Sequence, residues 1–194
     1  MNWEQLLSNK RLGQEHQQHS VDDRTEFQRD YDRLIFSAPF RRLQNKTQVF
    51  PLPGSIFVHN RLTHSLEVSS VGRSLGNDVC RLLLKRHPEL ADTNVMELGS
   101  IVSAACLAHD LGNPPFGHDP INFEGNANAF RLRTHHFKGR RPGGFVMTYS
   151  TLASIVKYPF SSNLVSGKRK FGFFREELEA YQRIAAELGI IRYD

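Results

Sequence analysis

The chain has 194 residues, with 25 Lys+Arg against 20 Asp+Glu for a net charge of +5, and 39% of its residues are hydrophobic. That is room for one domain with its own core, and 14 Phe residues exclude wholesale disorder. No run approaches the roughly 18 apolar residues that span a bilayer, and two Cys are too few for a disulfide framework.

The first residues are polar and lack the apolar core of a secretory signal, so no membrane partner and a reducing cytoplasm are expected. The basic surplus points to an anionic partner, a nucleotide or nucleic acid. Residues 1–28 read as a polar N-terminal arm with one short helix, ahead of a single domain over 29–194. From Phe27 to Gln48, apolar residues recur at helical spacing, and Pro39 divides two short helices. Val49–Val58 holds Pro51, Pro53 and Gly54 and reads as a loop.

Arg61–Arg86 is the first strong helix. Leu62, Leu66, Ser69, Leu75, Val79 and Leu82 are expected to keep one face apolar, and Pro88 follows its end. Val95–Leu111 is the second, stopped by Gly112, Pro114, Pro115 and Gly117. A short helix is expected over Phe123–Thr134, then a basic loop over His135–Gly144, a helix over Leu152–Tyr158 and a loop over Pro159–Lys170. Arg175–Leu188 is the last helix, with Gly189 as its C-cap. Strand signals are weak throughout, so the expected class is mainly α, a multi-helix bundle.

The end of the second strong helix carries the most chemistry. His109 extends the apolar face of Val102 and Ala105, with Asp110 beside it. Burying an imidazole against a carboxylate is costly unless both are hydrogen-bonded or bound to a metal. Two readings stand at this point: a core histidine locked by a carboxylate, or two ligands of a metal site. His64, at the start of the first strong helix, lies on the face of Leu75 and Val79 and could meet the pair across two packed helices. Two imidazoles and one carboxylate suit a divalent ion. Arg61, one turn before His64, could reach the same place and clamp phosphate oxygens with its planar fork.

Five segments, taken in order, resemble one family. They are Arg24–Pro51 (RTEFQRDYDRLIFSAPFRRLQNKTQVFP), His59–Val68 (HNRLTHSLEV), Ala108–His118 (AHDLGNPPFGH), Phe123–Leu132 (FEGNANAFRL) and Thr148–Pro159 (TYSTLASIVKYP). The chain resembles the HD-domain superfamily, and within it the deoxyguanosinetriphosphate triphosphohydrolases and their relatives. The resemblance implies an HD-type phosphohydrolase domain over 29–194 that hydrolyses a deoxynucleoside triphosphate to deoxynucleoside and inorganic triphosphate. It implies His64, His109 and Asp110 as three of four ligands of a divalent ion (Mn, Mg, Co, Fe, Ni or Zn, which the ligand set does not separate). It implies Gln48 at the deoxyribose, Arg61, Asn126, Lys157 and Tyr158 along the triphosphate, His118 as catalytic acid/base, and self-association into a homo-oligomer.

The sequence departs from the family pattern in two places. No Glu stands three residues after His118, and Phe123 follows almost at once. No later segment resembles the helix that carries the family's fourth ligand. The expectation is therefore a portion of a longer chain, or one with an internal stretch removed. A non-catalytic nucleotide-binding or single-stranded nucleic-acid-binding protein is the alternative, built on the basic runs Lys138–Arg141 and Lys168–Lys170. An HD phosphohydrolase acting on another nucleotide is the nearer rival.

Overall fold

The computed structural model describes residues 2–16, 23–47, 60–114, 123–136, 138, 142–163 and 170–190. The described residues form helices joined by short loops, with isolated bridges and no strand. The expected mainly α class is what the chain adopts.

The N-terminal residues pack onto the bundle. Helix α1 (Trp3–Leu6) is followed by Leu7 and Leu12, both buried. Arg11 is buried too, and joins three distant stretches. It pairs with Asp30 (2.7 Å) and Glu26 of α2 (Glu26–Ile35) and donates to the Val146 carbonyl (2.5 Å). Asp30, fully buried, also accepts from the Thr148 amide (3.0 Å) and hydroxyl (2.6 Å). A segment read as a polar arm is thus held by a charge network that the count of polar residues concealed.

Helix α2 opens on a capping box from Thr25 and Gln28. The break expected at Pro39 falls earlier, at Phe36–Ser37. Ser37 caps α3 (Ala38–Arg42), and Pro39 sits in its first turn, where a missing N–H costs nothing. A 3-10 turn, Leu43–Asn45, leads to Lys46, whose carbonyl accepts from the Arg61 amide at 2.9 Å.

Helix α4 runs Arg61–Arg86, with Asn60 as its N-cap, as its sequence signals indicate. Its buried face is not the expected one. Ser65, Ser69, Gly72, Gly76 and Cys80 are buried, whereas Leu75 is 59% and Leu82 58% exposed, with Val71 and Val79 beside them. The cause is the close approach of α5 (Leu98–Ala108). A Cβ on Gly76 would stand 2.8 Å from Gly99 Cα, and the Ser69 hydroxyl reaches the Ser103 carbonyl and hydroxyl, each at 2.8 Å. Small residues mark the contact, and the aliphatic stripe is left outside. His64 lies on that stripe by periodicity, half-buried near its N-terminal end.

The second strong helix begins as a 3-10 turn (Asn94–Glu97) before α5, and its α-helical part stops at Ala108. His109 and Asp110 therefore lie in the turns beyond it. Helix α6 (Gly125–Thr134) is capped by the Glu124 carboxylate. Helix α7 covers Tyr149–Ile155 rather than Leu152–Tyr158, because Thr148 caps it three residues earlier, accepting from Thr151 N. Helix α8 (Leu178–Leu188) follows a 3-10 turn, Arg175–Glu177, and ends at Gly189 with φ +65°, the left-handed C-cap expected there. The main core gathers Leu34, Phe40, Leu43, Leu107, Phe130, Met147, Leu152, Phe173, Tyr181 and Ile184 between these helices.

Candidate metal centre

The α4–α5 contact brings two imidazoles together. The His64 and His109 ring centroids are 5.2 Å apart, with the rings at 70°. One ligand atom each from His64, His109 and Asp110 lies within 4.8 Å of the other two. Among the described residues this is the group of His, Cys, Asp and Glu that could hold a metal ion.

The protonation pattern suits that role. His109 Nδ1 lies 2.7 Å from the Cys106 carbonyl, an oxygen that can only accept. Nδ1 therefore carries the proton, and the Nε2 lone pair faces the cluster. Nε2 stands 3.5 Å from Asp110 Oδ1. Asp110 is buried; its Oδ2 has Arg61 Nη1 at 3.1 Å as an ion pair but no hydrogen bond directed at it. A buried carboxylate oxygen without a directed donor, next to two nitrogen donors, fits a cation.

Cations surround the cluster. Arg61 is largely buried, and its Nε has no hydrogen-bond partner. Lys46 sits beside it and donates to the Asn113 carbonyl at 2.8 Å. Burial, then the Arg61 and Arg42 charges, push the Lys46 amine below the ordinary lysine range, against the pull of Asp110. Two cations facing one carboxylate leave a surplus that an anion can neutralise.

The turn after Asp110 is fixed by α6. Asn113 Nδ2 donates to Asp110 Oδ1 at 2.5 Å, and Asn128 Nδ2 to the Gly112 carbonyl at 2.9 Å. Arg133, fully buried, donates to the Ala108 carbonyl at 2.7 Å and so caps α5 just before His109 and Asp110; burial pushes its guanidinium down to about 9. Sequence reasoning missed Asn113, Asn128 and Arg133. The legible signal was the Asp-x-x-Asn spacing on a turn, which puts an amide within reach of a carboxylate.

Of the other expected site residues, Asn126 lies in the first turn of α6, its amide donating to Glu124 Oε1 at 2.5 Å. Lys157 and Tyr158 follow α7, the ammonium 5.5 Å over the ring. The structure brings Arg61 to the His64–His109–Asp110 cluster and gives Lys157 and Tyr158 a contact with each other. Gln48, His118 and the run Lys168–Arg169 lie outside the described residues, as do Phe137 and Gly139–Arg141 of the basic loop.

No family model matches the chain. Curated relatives do. A deoxyguanosinetriphosphate triphosphohydrolase-like protein of Synechocystis is 42% identical over 230 residues, covering 98% of this chain and 52% of the relative. One of Pseudomonas aeruginosa is 41% identical over 228 residues (100% and 51%), and one of Listeria monocytogenes 33% over 228 (95% and 49%). The chain spans about half the length of these relatives. An alignment of 230 positions also exceeds the 194 residues available, so the relatives carry internal positions with no counterpart here. With the cluster at 64, 109 and 110 on an all-helical frame, the chain belongs to the deoxyguanosinetriphosphate triphosphohydrolase-like proteins of the HD superfamily.

Proposed function

We propose that the chain serves a metal-dependent deoxynucleoside triphosphate triphosphohydrolase, with dGTP as first substrate. The observation that carries this reading is the three-ligand cluster with Arg61 and Lys46 beside it. A triphosphate carries about four negative charges and needs that density of cations.

A divalent ion held by His64, His109 and Asp110 supplies Lewis acidity toward a phosphoryl oxygen and acidifies water. The Cys106 carbonyl keeps His109 in the tautomer that presents Nε2. Arg61 and Lys46 bind phosphate oxygens and offset charge that grows as the bond from the α-phosphorus to O5′ breaks. Water adds to that phosphorus, its oxygen stays on the released triphosphate, and O5′ leaves carrying a proton. His118 delivers that proton, Gln48 meets the deoxyribose, and Asn126, Lys157 and Tyr158 extend the phosphate site. Self-association into a homo-oligomer belongs to the same reading.

The test is incubation of the protein with each dNTP and Mn²⁺, with products separated by ion exchange. Deoxynucleoside plus triphosphate is expected. Monophosphate plus pyrophosphate, or no turnover, overturns the reading.

A further inference from the structure

Among the described residues, the Asp110 carboxylate takes a side-chain amide on Oδ1 and pairs with Arg61 through Oδ2. Asn113 Nδ2 donates to Oδ1 at 2.5 Å, and Oδ1 is the oxygen that stands 3.5 Å from His109 Nε2. One lone pair of Oδ1 takes the amide hydrogen, and another remains for the point shared with the imidazole. Asn113 is itself positioned from two sides. Lys46 Nζ donates to its backbone carbonyl at 2.8 Å. On the other side lies Gly125, where a Cβ would stand 2.1 Å from Asn113 Oδ1. Only a residue without a side chain leaves the carboxamide room to face Asp110.

We propose that Asn113, seated in the space left by Gly125, is a positioning residue that sets the metal-facing oxygen of Asp110. The inference rests on the metal-centre reading. Outer partners of this kind tune metal affinity by about 10–100-fold. Gly125 opens α6, where alanine is at least as favourable for the helix as glycine. Its replacement therefore displaces the amide without removing a hydrogen-bonding group or weakening the helix.

The experiment is Mn²⁺ affinity, read from the free-ion EPR signal, for wild type, Asn113→Ala, Gly125→Ala, the double variant and His109→Ala. Thermal melts accompany each. Asn113→Ala is expected to weaken Mn²⁺ binding about 10–100-fold. Gly125→Ala should weaken it toward the same level while its melting temperature holds. The double variant should bind as Asn113→Ala does, since the amide that Gly125→Ala displaces is already gone. Affinity within twofold of wild type for Asn113→Ala overturns the proposal, and so does a double variant weaker by the product of the two single losses. A wild type that binds no more Mn²⁺ than His109→Ala overturns the metal reading itself, and this inference with it.

Discussion

Replacing Gly76 with Ala sets two effects of opposite sign against each other. In a helix interior the exchange is favourable by about 1 kcal/mol through backbone entropy. In this structure the new Cβ would stand 2.8 Å from Gly99 Cα and 3.0 Å from the Leu98 carbonyl oxygen. Both are backbone atoms, so no side chain can swing aside. Carbon–carbon contact needs about 3.5–4.0 Å, which requires α4 and α5 to part by about 1 Å. Overpacking of this kind costs about 1–3 kcal/mol, and the parting also strains the Ser69–Ser103 hydrogen bonds. The two effects leave a loss of about 0–2 kcal/mol, to which the strained hydrogen bonds add, so the variant should melt below wild type by up to about 8 °C for a chain of this size. Far-UV circular dichroism melts and urea titrations measure it. Ser70→Ala, on the exposed side of α4, is the reference and should melt at or slightly above wild type. A Gly76→Ala variant that melts at or above wild type would show that the helices do not approach this closely.

Asp30→Ala should cost about 3 kcal/mol in urea unfolding, because the buried Arg11 loses a partner and the Thr148 donors lose their acceptor, with Glu26 left as compensation. A loss under about 1 kcal/mol refutes the network's role. Glu15 gives a pH prediction. Burial raises its pKa, but backbone N–H groups of Glu15 and Gly13, the Tyr149 hydroxyl and Arg183 outweigh this and hold it below 4.5. The native state then binds the proton less than the unfolded one. A small advantage of wild type over Glu15→Gln should exist at neutral pH and vanish as pH falls below 4.5 through the lowered value. A gap that widens in acid contradicts the assignment. Mn²⁺ at about 100 times its Kd should add about 2.7 kcal/mol of stability, reversed by chelator. The same ion should leave the melting temperature of His109→Ala unchanged, and an equal shift in both proteins removes the ion from this site.

Helix ends were legible where a capping residue and a stop flank a long periodic segment. Asn60 and Pro88 frame α4, and Gly189 closes α8. Where the cap is also part of a tertiary network, as Thr148 is with Asp30, the start of α7 was read too late. Facing was harder than existence. Periodicity weighs side chains by hydrophobicity, so Leu75 and Val79 outweighed Gly72 and Gly76. Burial on α4 was decided by how closely another backbone could approach. His64, His109 and Asp110 were legible because chemistry-bearing residues interrupt apolar patterns. Asn113 was legible only as an Asp-x-x-Asn spacing, and Gly125 was not, since its meaning lies in the contact of the α6 N-terminus with the turn after Asp110, which local spacing does not encode.

Arg11 also bears on the order in which the chain can assemble during synthesis. Its carbonyl partner at Val146 is 135 residues away, and the Thr148 donors to Asp30 are 118 residues from their acceptor. At about 5–20 residues per second, the ribosome takes about 7–30 s to make that intervening stretch. Through that interval Arg11 and Asp30 lack the Val146 and Thr148 groups that complete the network. The first fifteen or so residues can therefore settle into the bundle only after α4, α5 and α6 have been made, so the segment synthesised first is among the last to reach its native surroundings.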